Sequence, residues 1–184
     1  MSDMPFTPKK IALVKGGGRH REKLASFEMA LRKAGIAHLN LVRVSSIFPP
    51  HCRIVGAKHI QTELKPGQVT FCVLAESATN EAHRLVVASV GLAVPKDPNN
   101  YGYLSEHHSF GQTDEEAGDY AEDLAAQMLA TILGVEFDSD GSWDQRRELW
   151  RISDQIVRTR NVTQSGVGKP KLWTTVLAGA ILIP

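Results

Sequence analysis

The chain has 184 residues, 42% of them hydrophobic and 22% charged, with a formal net charge of +1. That length buries one ordinary core, so a single domain over residues 1–184 is expected, and the mixing of acids and bases excludes the one-sided basic footprint of a nucleic-acid binder. The opening MSDMPFTPKK has no apolar signal core and no apolar run is long enough to span a bilayer; Cys52 and Cys72 lack metal-type spacing and read as reduced thiols, so a cytoplasmic protein without a membrane partner is expected.

In chain order, residues 10–15 read as a strand and GGGRHRE as a loop after it. Leu24, Phe27, Ala30, Leu31 and Ala34 recur at helical spacing, with Gly35 as the stop. Residues 37–44 alternate as a strand, with Leu39, Leu41 and Arg43 on one face and Asn40, Val42 and Val44 on the other. Pro49 and Pro50 interrupt it, because proline cannot continue a ladder. A turn at Lys65-Pro66-Gly67 precedes a strand over 68–75. Residues 84–94 are apolar throughout and suit a buried strand, with a helix as the alternative. PKDPNN is a turn, and residues 101–107 form another strand. Thr113 and Glu116 make a capping box that opens a helix with the stripe Ala117, Tyr120, Leu124, Met128 and Ile132, ending at Gly134. Residues 144–158 read as an amphipathic helix, 161–170 as a loop and 171–183 as a last strand. Strands outnumber helices, which predicts an α+β sandwich with helices outside mostly antiparallel sheet.

The informative stretch is Asn40-Leu41-Val42-Arg43-Val44-Ser45-Ser46-Ile47-Phe48-Pro49-Pro50. A strand delivers two serines to a place where the chain must turn hard, and Pro-Pro locks the exit. Such a turn can hold a carbonyl against a hydroxyl, as a self-cleaving peptide bond requires. A Ser-Ser pair alone more often occupies an ordinary turn.

The whole segment, however, resembles the processing site of the pyruvoyl-dependent arginine decarboxylases, N-h-h-R-h-S-S-h-h-P-P with h apolar. Ala34-Gly35-Ile36 upstream, the turn Val94-Pro95-Lys96-Asp97 and the pair Gly102 and Glu106 extend the resemblance over roughly residues 10–135. It implies a layered αββα sandwich and self-cleavage between Ser45 and Ser46, giving a β chain of residues 1–45 and an α chain of 46–184. In that chemistry the Ser46 hydroxyl attacks the Ser45 carbonyl, and β-elimination then leads to a covalent pyruvoyl group at position 46. The ketone forms a Schiff base with the substrate amine and draws electrons as L-arginine loses CO2 to become agmatine. No pyridoxal phosphate and no metal are expected.

The resemblance also implies roles for single residues. Glu106 protonates Cα, a task suited to a partly buried carboxyl. Asn40 assists processing by hydrogen-bonding the oxyanion. It lies six residues before Ser46, so contact needs the chain to double back or a neighbouring subunit. Glu28 falls where archaeal members carry an aspartate facing the guanidinium, for which a carboxylate is the natural partner; Ser45 also borders the substrate. Trimers of αβ units, or hexamers, with active sites between subunits, are implied. Rival readings are a pyruvoyl decarboxylase for another amino acid and an unprocessed scaffold. Gly16-Gly17-Gly18 lacks a phosphate-binding signature and reads as a flexible loop near the site. His107 and His108 point to opposite strand faces, which disfavours a shared metal. Trp143, Trp150 and Trp173 read as packing residues. Residues 138–170 are the weakest part of the resemblance, with no assigned role.

Overall fold

The expected strands are present; those read at 10–15, 68–75 and 101–107 run longer than the sequence pattern indicates, and those at 37–44 and 171–183 run shorter. The computed structural model describes residues 6–134 and 156–184. Its elements are β1 (Lys10–His20), α1 (Lys23–Ala34), β2 (Asn40–Arg43), β3 (Ile47–Phe48), β4 (Arg53–Val55), α2 (Lys58–Glu63), β5 (Val69–Thr79), β6 (Leu85–Pro95), β7 (Gly102–Phe110), α3 (Asp114–Leu133), β8 (Ile156–Val167) and β9 (Trp173–Ile183).

Five strands form one sheet in the order β2-β5-β9-β1-β4, and four form another in the order β3-β7-β6-β8. Among the described residues only β1 with β4 and β2 with β5 pair in parallel; the remaining neighbours are antiparallel. The content is therefore α+β with mostly antiparallel sheets. One buried cluster draws on both sheets, including Ile11, Val73, Val90, Leu104 and Leu182. A second joins Ala30 of α1 and Ile60 of α2 to Leu74, Leu177 and Ile181. A third sets Ala125, Ala126 and Leu129 of α3 against Ala93. β6 is buried along nearly its whole length, between the inter-sheet cluster and α3. That explains its unbroken apolar run and excludes the helical alternative.

Three readings are corrected. GGGRHRE is not a loop: β1 continues to His20, paired with β9 throughout. Its glycines serve close approach, since a Cβ on Gly16 would sit 2.2 Å from the Ala30 carbonyl oxygen and one on Gly18 2.2 Å from that of Ser26. Residues 161–167 are strand rather than loop. Their polar side chains are satisfied internally: Asn161 Nδ2 donates to Glu122 at 2.9 Å, Thr163 Oγ1 to Asn161 at 3.0 Å, and Ser89 and Thr163 share a 2.7 Å bond.

The buried face of α3 is also displaced from the expected stripe. Tyr120 and Ile132 are exposed, while Ala117, Ala121, Ala125 and Leu129 are buried. Small residues win that face because α3 lies close on β6, where a Cβ on Gly91 would meet the Ala121 carbonyl oxygen at 2.2 Å. The capping box at Thr113 and Glu116 and the stops at Gly35 and Gly134 are as read, both glycines being left-handed. The helix expected over 144–158 lies mostly outside the described residues, as do Trp143 and Trp150; its last three positions belong to β8. Trp173 opens β9 with the Lys23 ammonium 5.2 Å from its ring. No described helix is long and apolar enough to cross a membrane.

Candidate active site

β2 runs beside β5 for four residues, from Asn40 opposite Val69 to Arg43 opposite Cys72. The Val44 amide adds one more bond, to the Cys72 carbonyl at 3.0 Å. The chain then leaves that sheet. Ile47 and Phe48 join the other sheet as β3, opposite Tyr103 and Gly102. The Leu104 amide meets the Ser46 carbonyl at 2.8 Å. The Ser45-Ser46 peptide therefore lies in the strap between the sheets, tied at Val44 to one and at Ser46 to the other. The turn is tight, with the Ile47 amide donating to the Ser45 carbonyl oxygen at 3.0 Å. Pro49 and Pro50 follow, and the Cys52 amide closes their turn on the Pro49 carbonyl at 3.2 Å. His51 adopts a left-handed φ of 58°, and its amide reaches the Pro98 carbonyl at 3.0 Å, joining this turn to the PKDPNN turn.

β5 continues past the end of β2, which leaves its edge amides without a strand partner there. Glu106 of β7 fills the gap: its Oε1 accepts from the Leu74 amide at 2.9 Å. The carboxylate also lies close enough to the Cys72 thiol to influence its titration. Burial, the larger effect, pushes that thiol up to about 11, and burial likewise pushes Cys52 up to about 11. Both are free thiols, protonated at neutral pH and thus poor nucleophiles. A cavity of about 460 Å³ opens beside Ser45, walled by Val44, Ile47, Pro49, Phe71 and Leu182. A hydroxyl, its neighbouring carbonyl, a carboxylate and an apolar recess thus share one crossover between sheets.

The sequence profile of the pyruvoyl-dependent arginine decarboxylases matches residues 10–184. The chain belongs to that family. Relatives match it almost end to end. A probable pyruvoyl-dependent arginine decarboxylase from Chloroherpeton thalassium is 57% identical, covering 98% of this chain and 100% of its own length. Pyruvoyl-dependent arginine decarboxylases from Nitrosopumilus maritimus and Methanococcoides burtonii are 53% and 52% identical, covering 98% and 96% of this chain and 99% and 98% of their own lengths. The family match therefore extends beyond residues 10–135 and takes in residues 138–170.

Of the residues the family resemblance singles out, the fold puts Ser45 and Ser46 in the strap and Glu106 two residues along β7 from Leu104, whose amide bonds the Ser46 carbonyl. It does not bring Asn40 there. Asn40 sits at the far end of β2, six residues before Ser46, and its Nδ2 donates to the Gly67 carbonyl at 2.7 Å. Glu28 lies on α1, which packs against β1 and β9, and it pairs with Arg32 one turn away. Glu106 is exposed in the single chain rather than partly buried. Gly17 and Gly18 line a separate cavity with Arg19 and Lys33 that shares no residue with the recess at Ser45. His107 bonds Gln112 at 2.7 Å and packs on Tyr120. Sequence reasoning missed the amides of Ile47 and Leu74, which carry no side-chain signal. The one clue was that β5 has a longer apolar run than β2 can pair.

Proposed function

We propose that this member of the family cleaves itself between Ser45 and Ser46 and then decarboxylates L-arginine to agmatine and CO2. The observation that carries the reading is the strap: the Ser45-Ser46 peptide crosses between two sheets and is held on both sides by backbone hydrogen bonds, near the Glu106 carboxylate that bonds β5. Holding flanking groups still converts an improbable encounter into a positioned one.

The Ser46 hydroxyl adds to the Ser45 carbonyl carbon and the peptide C–N bond breaks, the hydroxyl proton passing finally to the released nitrogen. The resulting ester is cleaved by elimination, the Cα proton of residue 46 being removed as Ser45 departs as a carboxylate. The dehydroalanine left behind tautomerises to an imine that water hydrolyses to the ketone with release of ammonia. The residues at the crossover fit a ketone at position 46. It is made from the chain itself, its carbonyl-side neighbours are pinned to β7, and an apolar recess adjoins it. That ketone supplies an electron sink for the electrons released as CO2 leaves. Around it, Glu106 holds the proton destined for Cα, and Ser45 borders the substrate.

Asn40 and Glu28 are assigned to the site through a neighbouring subunit. Both lie away from Ser46 in their own chain, and among the described residues no carboxylate lines the recess at Ser45 to receive a guanidinium. This supports trimers of αβ units, singly or paired as hexamers, with sites between subunits. The clusters between the sheets and beneath the helices support the four-layer αββα arrangement. Neither pyridoxal phosphate nor a metal has a part in this scheme, and the cytoplasm is the compartment that suits it.

Intact-mass measurement and an assay over a panel of amino acids test the proposal together. Two fragments joining at 45/46 and agmatine formed from arginine are expected. One uncut chain of 20.2 kDa without a carbonyl-reactive N-terminus overturns it.

A further inference from the structure

We infer that the backbone amide of Ile47 is the oxyanion donor for the self-cleavage. This rests on Ser45-Ser46 being the processed bond. In the acyl shift the C–O bond to the Ser46 hydroxyl forms as the carbonyl π pair moves onto the Ser45 oxygen. That oxygen gains a negative charge before the C–N bond breaks. A donor already aimed at it lowers the barrier, because nothing has to reorganise as charge develops. The Ile47 amide is so placed, 3.0 Å from the Ser45 oxygen.

The contact spans two residues, which makes it a three-residue turn centred on Ser46. Such turns often only redirect a chain. Here the acceptor is the scissile carbonyl and the central residue is the nucleophile. The turn cannot drift, since Val44 is tied to Cys72 at 3.0 Å and Ser46 to Leu104 at 2.8 Å. The Pro49-Pro50 turn fixes the exit, with the Cys52 amide on the Pro49 carbonyl. By contrast, Asn40 in the same chain spends its side-chain amide on Gly67.

Replacing the Ile47 amide by an ester, through an α-hydroxy acid at position 47, deletes this donor and keeps the side chain. Formation of the 46–184 fragment, followed by mass, is expected to slow about 10²- to 10³-fold. Cleavage at the parent rate overturns the inference. Failure of the parent itself to cleave instead sinks the processing proposal on which it rests. A second readout does not depend on how the ester chain folds. In uncut Ser46→Ala protein, a 13C label on the Ser45 carbonyl should report a hydrogen-bonded amide band. A band at the frequency of an unbonded carbonyl overturns the inference equally.

Discussion

The Glu106 carboxylate accepts a hydrogen bond from the Leu74 amide at 2.9 Å, linking β7 of one sheet to the edge of β5 in the other. The link forms where β2 has left β5 to become the strap through Ser45 and Ser46. A glutamine keeps an oxygen for the Leu74 amide and loses the transferable proton. Glu106→Gln should therefore still cleave, while arginine decarboxylation falls roughly 10²- to 10⁴-fold. Unchanged turnover would remove Glu106 from the proton transfer.

Ser46→Ala should remain one polypeptide of 20.2 kDa and be inactive, because no hydroxyl is left to attack the Ser45 carbonyl. Gel electrophoresis settles the first point and CO2 release the second. Scission in that variant refutes the proposed nucleophile.

Glu28→Ala should raise KM for arginine by more than it slows processing. In the proposed site the lost carboxylate would face substrate rather than the scissile bond, and its partner Arg32 is on the same exposed helix face. An unaltered KM shows that the guanidinium is held elsewhere.

Gly91→Ala should destabilise the fold without touching the chemistry. The added Cβ lies 2.2 Å from the Ala121 carbonyl oxygen, so α3 must lift from β6. Overpacking of this kind costs about 1–3 kcal/mol, read as a fall in Tm of about 2–4 °C per kcal/mol. A Tm equal to the parent's contradicts the close approach.

Cys52 should alkylate slowly near neutral pH. Burial holds its thiol near 11, so at pH 8 roughly one molecule in a thousand is thiolate. The rate should climb about tenfold per pH unit. In the unfolded chain the thiol ionises near its ordinary value, below the folded one. The associated stability is intact below that ordinary value and lost as pH rises towards 11. Fast alkylation at pH 7 rejects the burial.

Much of this arrangement was legible in the sequence. Alternation and apolar runs located six of the strands, and glycine stops and the Thr113 capping box bounded the long helices. Ser45, Ser46 and Glu106 came through their family pattern; Glu106 lies on β7 two residues beyond Leu104, whose amide bonds the Ser46 carbonyl. The misreadings share a cause: tertiary contact overrode local pattern. Gly16 and Gly18 look like a loop until α1 lies against them. Asn161 and Thr163 look solvent-seeking until Glu122 and Ser89 satisfy them. The α3 stripe went to alanines because nearness to β6 outweighed side-chain size. Asn40 and Glu28 stay apart from Ser46 within the chain, Asn40 bonded to Gly67 at the far end of β2 and Glu28 paired with Arg32 on α1.

β1 lies between β9 and β4, bonded to β9 along all eleven of its residues, and β2 borders β5. The two described strands before residue 45, β1 and β2, are thus plaited into a fabric whose other threads come after it. Scission of the strap would set no piece adrift. The smaller polypeptide would co-purify with the larger through any gentle procedure, and only unfolding would part them. Once parted, neither could be exchanged like an ordinary subunit, because reunion would require weaving the sheet anew.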